Sequence, residues 1–175
     1  MSRRRTETID RTTHDALIAL LPRLRRFAYG LTGSVDDGDD LVQSACERAL
    51  SRMNQFEPGT RLNSWMFRIM QTVWIDRRRV RQRRGISVPI EEIGELHGAD
   101  GVRDDEARLC LGEVRRAVAK LPEEQRAVLM LVTVDGMSYR EAANVLSVPI
   151  GTVMSRLARA RLALGQSVGQ AASGG

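Results

Sequence analysis

Near the C-terminal end, Thr152, Ser155, Arg156 and Arg159 stand at offsets 0, 3, 4 and 7, so on a helix they share one face. A short polar face with guanidinium groups offers hydrogen bonds to base edges and phosphates, which suits a helix lying in the DNA major groove. Ile150, Val153, Leu157, Ala160 and Leu164 recur at spacings of 3, 4, 3 and 4 and form a separate apolar stripe that would anchor the helix. Arg161 lies four residues after Leu157, nearer the edge of that stripe, where it suits a phosphate contact or an intramolecular pair. By itself the pattern favours DNA only slightly over the solvated face of an αα-hairpin, since surface helices often carry Arg.

A second group lies between Arg68 and Arg84, where seven arginines face Asp76 alone, a local charge of +6. The guanidinium fork binds phosphate through two parallel hydrogen bonds, so such a run suits nucleic acid. A third is the cluster Asp36, Asp37, Asp39 and Asp40. Carboxylates can hold Mg²⁺ for nuclease chemistry. Consecutive carboxylates at a helix start point in several directions, however, and neither His14 nor His97 is near them in sequence. There is no Gly-rich phosphate loop and no nucleophile with a base beside it. The expectation is a protein that is not an enzyme and carries no cofactor. Cys46 and Cys110 are the only cysteines, which argues against a disulfide framework or a Cys/His zinc site. Both fall on apolar stripes and are expected as buried thiols.

The charge is uneven. In 175 residues, 27 Lys and Arg against 22 Asp and Glu leave +5, and Lys120 is the only lysine. Codon usage in a genome rich in G and C produces the same arginine bias, so only the distribution is informative. The basic run at 68–84 is followed by seven acids against Arg103 between Glu91 and Glu106, a local −6, and then by three arginines without an acid over 150–164. The aromatic share of 4% and the abundance of Ala, Leu and Arg favour helix over sheet. Nothing approaches the ~20 apolar residues of a membrane span, and the start Met1-Ser2-Arg3-Arg4-Arg5 leads into no apolar signal segment. A soluble, cytoplasmic protein without membrane contact of its own is expected.

These residues need helices to position them. Leu17, Leu20, Leu21, Leu24, Phe27, Ala28 and Leu31 follow helical spacing up to Thr32-Gly33. A second helix starts near Val35–Asp37 with the stripe Leu41, Val42, Ala45, Cys46, Ala49, Leu50 and Met53, its early aspartates favoured by the helix N-terminus. Pro58-Gly59 marks a loop. A third helix runs from about Asn63, a candidate N-cap, to about Gly85. Residues 86–104, with Pro89, Gly94, Gly98 and Gly101, read as an extended linker. Periodicity resumes with Ala107, Cys110, Leu111, Val114, Ala117, Val118 and Leu121. Pro122 precedes a helix over 123–134, and Asp135-Gly136 breaks the chain. Ser138-Tyr139-Arg140-Glu141 fits a capping box, the short helix stops at Leu146, and a last helix covers about 150–164. Helix, turn and helix make a helix-turn-helix. The fold class is all-α: two small helical domains, 1–85 and 107–165, on an acidic linker, 86–106, with a disordered tail at 166–175.

The longest recognisable run is Leu121-Pro122-Glu123-Glu124-Gln125-Arg126-Ala127-Val128-Leu129, then Gly136-Met137-Ser138-Tyr139-Arg140-Glu141-Ala142-Ala143, then Val148-Pro149-Ile150-Gly151-Thr152-Val153-Met154-Ser155-Arg156-Leu157-Ala158-Arg159-Ala160-Arg161. It resembles the promoter-distal helix-turn-helix domain of the extracytoplasmic-function (ECF) sigma factors, the small two-domain specificity subunits of bacterial RNA polymerase. Two departures stand out: Met154 occupies a position usually basic in that family, and Ser147 a turn position usually Gly. In the first half, Asp39-Asp40-Leu41-Val42-Gln43-Ser44-Ala45-Cys46-Glu47-Arg48-Ala49-Leu50 resembles the family's polymerase-binding helix, which docks on the clamp helices of the largest subunit. Asp40, Gln43, Glu47 and Arg48 form a polar face suited to a charged partner helix.

Phe56, Trp65-Met66-Phe67-Arg68-Ile69 and Ile75-Asp76-Arg77-Arg78-Arg79 resemble the family's promoter-melting segment, which opens the −10 element and captures flipped bases of the non-template strand. That work needs a basic track and pockets for unstacked bases. The resemblance implies Arg68, Arg77, Arg78 and Arg79 on phosphates. Trp65, Ile69 and Val73 repeat at helical spacing and read as core. The loop from Pro58 to Asn63, with Gly59, Arg61 and Asn63, is the better candidate base pocket, since its backbone is free to approach a nucleotide. Thr72 stands where members often have Asn, which bears on the preferred −10 base. The acidic linker, which in the family threads polymerase's active-centre cleft and RNA exit path, either imitates nucleic acid there or is a plain tether. The resemblance also implies an inhibitory anti-sigma partner. The rival outside this family is a freestanding regulator using only the helix-turn-helix. It leaves the first half unexplained and lacks the dimerisation heptad such proteins need to read two half-sites.

Overall fold

The computed structural model describes residues 2–57, 60–85 and 105–172, and side chains over 11–57, 60–85 and 112–167. Every regular element among the described residues is helical: α1 Ser2–Thr32, α2 Val35–Ser51, a 3-10 turn Met53–Gln55, α3 Leu62–Arg83, α4 Asp105–Lys120, α5 Glu123–Leu129, a π-helical turn Met130–Val134, α6 Tyr139–Leu146 and α7 Ile150–Ala172.

Local chemistry accounts for most boundaries. Gly33, at φ 73°, ends α1 in the left-handed region that a Cβ disfavours. The Ser34 hydroxyl accepts from the Asp37 N–H to cap α2, with Asp36 and Asp37 in its first turn. Asn63 is not the N-cap of α3. That place belongs to Arg61, whose side chain makes no capping bond, while Asn63 Oδ1 accepts from the adjacent Ser64 N–H. The capping box of α6 is complete, with Ser138 and Glu141 bonded reciprocally. α7 continues past Gly165 to Ala172, where the sequence pattern places a disordered tail: Ala and Gln sustain a helix and no proline interrupts it. Of the linker expected over 86–106, residues 86–104 lie outside the described residues, and Asp105 and Glu106 begin α4, where acidic side chains suit a helix N-terminus.

The core of the first half joins α1, α2 and α3 through Leu24, Phe27, Leu31, Leu41, Met66, Phe67 and Met70. The Phe27 and Phe67 rings meet edge to face at 5.1 Å, an arrangement favoured by the aromatic quadrupole. Val128, Leu131, Val153, Leu157 and Ala160 form the core of the second half. Three positions assigned to stripes by periodicity are exposed instead: Leu50 by 56%, Ile150 by 47% and Val114 by 37%. Leu50 and Ile150 lie at an edge of their stripes, where helical rotation carries the side chain away from the neighbouring helix, whereas Val114 lies within its stripe.

The halves do not hang apart. α3 packs on α6, and α1 packs on α5 and the π-helical turn, so buried residues of both halves form one continuous cluster. The polar part of this contact had no periodic signature, because arginines meet carboxylates and a backbone carbonyl there.

Candidate nucleic-acid interface

α7 presents the arrangement its spacing predicts. Val153, Leu157 and Ala160 are buried, while Ser155 and Arg159 are exposed on a different face and Thr152 is half-buried. The helix is aimed by the turn before it. Ser147 adopts φ 54° and ψ 45° as the C-cap of α6, and its N–H donates to the Ala143 carbonyl. A left-handed conformation costs a non-glycine residue about 1–2 kcal/mol, so the turn carries mild strain where the family usually has glycine. Arg156 is turned inward to Glu124 at 2.6 Å. Arg159, Arg161 and Met154 are exposed. This surface holds donors and acceptors beside an anchored stripe, the requirement for major-groove reading.

α3 presents a basic face in a different state. Arg61 pairs with Glu141 across the two halves. Arg68 donates from Nη2 to the Asn144 carbonyl at 2.6 Å, in the last turn of α6 where carbonyls lack helical partners. Arg78 pairs with Glu123 at 2.5 Å, and the other oxygen of that carboxylate accepts from the Trp74 indole N–H. Arg77 crosses within its own half, donating to the Asp40 carbonyl at 2.9 Å and to Ser44 Oγ at 2.6 Å. Arg79 and Thr72 are exposed, the Thr72 hydroxyl bonding back to the Arg68 carbonyl at 2.9 Å. Asn63 is half-buried, and Gly59 lies outside the described residues. Ile69 and Val73 are core as expected. Trp65 is half-buried against Phe56, ring centroids 5.2 Å apart.

On α2, Asp40, Gln43 and Glu47 are exposed in a row, with a Gln43 to Glu47 hydrogen bond of 3.1 Å. Arg48 is drawn to Asp76 of α3 at 3.0 Å. Beside them is a shallow open depression of about 480 Å³, lined among others by Ser44, Glu47, Arg52 and Arg77. Cys46 is half-buried, and burial raises its thiol pKa, opposed by the Arg25 charge. Cys110 lies outside the described side chains. No group of three His, Cys, Asp or Glu among the described residues could hold a metal ion, and no described helix is long and apolar enough to cross a membrane.

Sequence reasoning missed the residues joining the halves. Arg23 of α1 makes three hydrogen bonds to Asp135: Nε to Oδ1 at 2.8 Å, Nη2 to Oδ2 at 2.9 Å and Nη2 to the carbonyl at 3.1 Å. The Asp135 side chain is 4% exposed. The π-helical turn displaces the chain so that this carboxylate faces α1, with the Asp135 N–H returning to the Met130 carbonyl at 3.0 Å. Met130 sits over Gly30: a Cβ there would lie 2.3, 2.5 and 2.8 Å from its Cε, Sδ and Cγ. The only sequence signal was Asp135-Gly136, which reads as a chain break.

The two helical halves match known proteins. Residues 111–164 match the family model for sigma-70, region 4, and residues 17–71 the model for the sigma2 domain of PhyR. The ECF RNA polymerase sigma factor EcfG of Rhodopseudomonas palustris is 37% identical over 147 residues, covering 84% of this chain and 80% of that one. The sigma factor RpoE of Bartonella quintana, solved with the anti-sigma factor NepR, superposes with a TM-score of 0.78 at 31% identity, over 89% of this chain and 95% of that one. CnrH, solved with the cytosolic domain of CnrY, gives a TM-score of 0.67 at 25% identity, over 92% and 90%. The chain belongs to the ECF RNA polymerase sigma factor family.

Proposed function

We propose that this chain binds core RNA polymerase and directs initiation at promoters whose −35 element is read by α7 and whose −10 element is opened on α3. The observation that carries this reading is the face of α7: Ser155 and Arg159 stand exposed beside the buried Val153, Leu157 and Ala160, behind a capped α6 and a tight Ser147 turn. Thr152, Ser155, Arg156 and Arg159 supply base-edge and phosphate contacts, and Arg161 a phosphate contact. Met154, exposed where the family is usually basic, offers an apolar contact, such as to a thymine methyl, in place of a charge.

On α3, Arg68, Arg78 and Arg79 take phosphates, and Arg77 joins them on releasing Asp40 and Ser44. Arg61, Asn63, Thr72 and the loop at Gly59 border the flipped base. Asp40, Gln43, Glu47 and Arg48 meet the clamp helices of the largest subunit. The family's anti-sigma complexes support an inhibitory protein partner for this chain as well. The working domains are 1–85 and 107–165, joined through the acidic segment 86–106, and the site of action is the cytoplasm, where polymerase is. No chemistry is assigned to the chain itself, since polymerase performs it.

The test is run-off transcription from a native promoter with purified core. Transcription and promoter binding that require both core and this chain support the reading. Tight specific promoter binding by the chain without core would support the freestanding regulator instead.

A further inference from the structure

We propose that the outer edge of α7 reads the C5-methyl group of a pyrimidine, with Met154 as the contact and Ile150 beside it. The −35 preference of this chain is then sensitive to methylation of a base. This rests on the assignment of α7 to the −35 element. Met154 is 53% exposed and Ile150 47%, two of the large apolar side chains that the fold leaves uncovered. Ile150, Met154 and Ala158 recur at spacings of four, so they form one row along the helix, and all three are exposed. The buried face of the same helix is a different one, made by Val153, Leu157 and Ala160. Gly151 lies next to the row, and a Cβ built there meets nothing within 4 Å. That open space lets the helix backbone come close to a groove floor.

The surroundings select the occupant. Residues 150–164 hold three arginines and no acid, so charge complementarity favours a polyanion over a basic or neutral protein surface. The row itself is uncharged and has no side-chain hydrogen bond to give a base edge. In the major groove the apolar group that base pairs present is the thymine C5-methyl. Methylation of cytosine at C5 puts the same group on the same ring atom, so thymine and 5-methylcytosine are two sources of one contact. A recognition helix meets base edges with its N-terminal residues. Ile150 begins α7, and Met154 follows one turn on. Methionine brings an unbranched, polarizable side chain that adjusts to a methyl, and the β-branched Ile150 a stiff one. Ser155, exposed next to Met154, bonds only back to the Thr152 carbonyl at 3.1 Å and keeps acceptor capacity for an adjoining base.

The test uses holoenzyme, core polymerase with the full chain, on a native promoter duplex. Each −35 thymine, on either strand, is replaced in turn by deoxyuridine, which deletes the methyl and keeps every hydrogen-bonding group. Each −35 cytosine is replaced in turn by 5-methylcytosine, which adds the methyl. Competition binding should show a loss of about fourfold at one deoxyuridine position, or a gain of about fourfold at one 5-methylcytosine position, the worth of one buried methyl-sized group. The first result identifies thymine as the source, the second 5-methylcytosine.

Met154→Ala and Met154→Lys should each abolish that difference. Because the side chain is exposed, both variants should keep the wild-type thermal transition. Met154→Lys should also steepen the salt dependence of binding by about one unit of slope, and Met154→Ala should leave it unchanged. Absence of any methyl-sensitive position, or sensitivity that survives both substitutions, overturns the proposal. So does weaker assembly of either variant with core in the absence of DNA, which would make the row a protein contact. The underlying assignment fails separately, if wild-type binding is indifferent to replacement of the whole −35 element.

Discussion

The basic faces of α3 and α7 carry the same residue type and differ in what already occupies them. On α7 only Arg156 is engaged, by Glu124 of the same half, and Arg159 and Arg161 stand exposed. On α3, Arg61, Arg68 and Arg78 are all met by oxygens from the other half, and Arg77 by α2. α7 packs on α4, α5 and α6 of its own half and keeps its far side free. A helix in the middle is approached from both directions, and a strongly basic one gathers carboxylates from whatever packs beside it. Local charge is legible in the sequence, and packing decides which oxygens meet it.

The largest test of that contrast is whether the halves unfold together. Phe67→Ala removes the ring against Phe27 and should cost about 3–5 kcal/mol, and Leu157→Ala about 2–5 kcal/mol. In thermal unfolding, each should lower one shared transition. Two transitions, with each substitution moving only its own, would show that the interface couples the halves weakly.

The second test separates the open arginine from the engaged one. Arg159→Ala should cost about 1–3 kcal/mol in −35-dependent binding by the holoenzyme, the worth of a good base contact. Arg156→Ala should cost less, since its guanidinium leaves Glu124 before it reaches DNA. Equal losses would mean that the Glu124 pair, two-thirds exposed on its acidic side, has no competitive weight.

A smaller effect sharpens the account of how α7 is aimed. Ser147→Gly should stabilise the second half by about 0.4–1 kcal/mol, seen as a raised denaturation midpoint, because glycine reaches φ 54° without a Cβ penalty. The smallest expected effect is at Cys46. Its raised thiol pKa means the folded form holds the proton more tightly, so that contribution to stability is complete below the ordinary thiol range and fades as pH rises through the raised value. Alkylation of Cys46 should accordingly lag a model thiol at neutral pH and accelerate only in alkali. Alkylation as fast as the model thiol would refute it.

Much was legible from residue order. The stripes of α1, α2 and α7, the capping box at Ser138 and the break at Asp135-Gly136 each appear where the pattern places them, because each depends on residues within about one or two helical turns. The N-cap at Asn63 was misread: a polar side chain near a helix start can bond its neighbour instead, as Asn63 does with Ser64. Ile150 and Leu50 were misread because periodicity gives a direction around the helix without saying whether another helix covers it.

By itself, the amino-acid sequence determined the helical content, the two halves, the polar face of α7 and the resemblance that carries the family. Those rest on local spacing and side-chain chemistry, which one chain segment contains in full. Only the tertiary structure decided that Arg23 meets Asp135, that Met130 needs Gly30, and that Arg68, Arg77 and Arg78 of α3 are engaged. Those pairings join residues far apart in sequence, such as the 112 positions between Arg23 and Asp135. Charge and spacing cannot name such a partner, because a guanidinium donates to any oxygen that folding brings within reach.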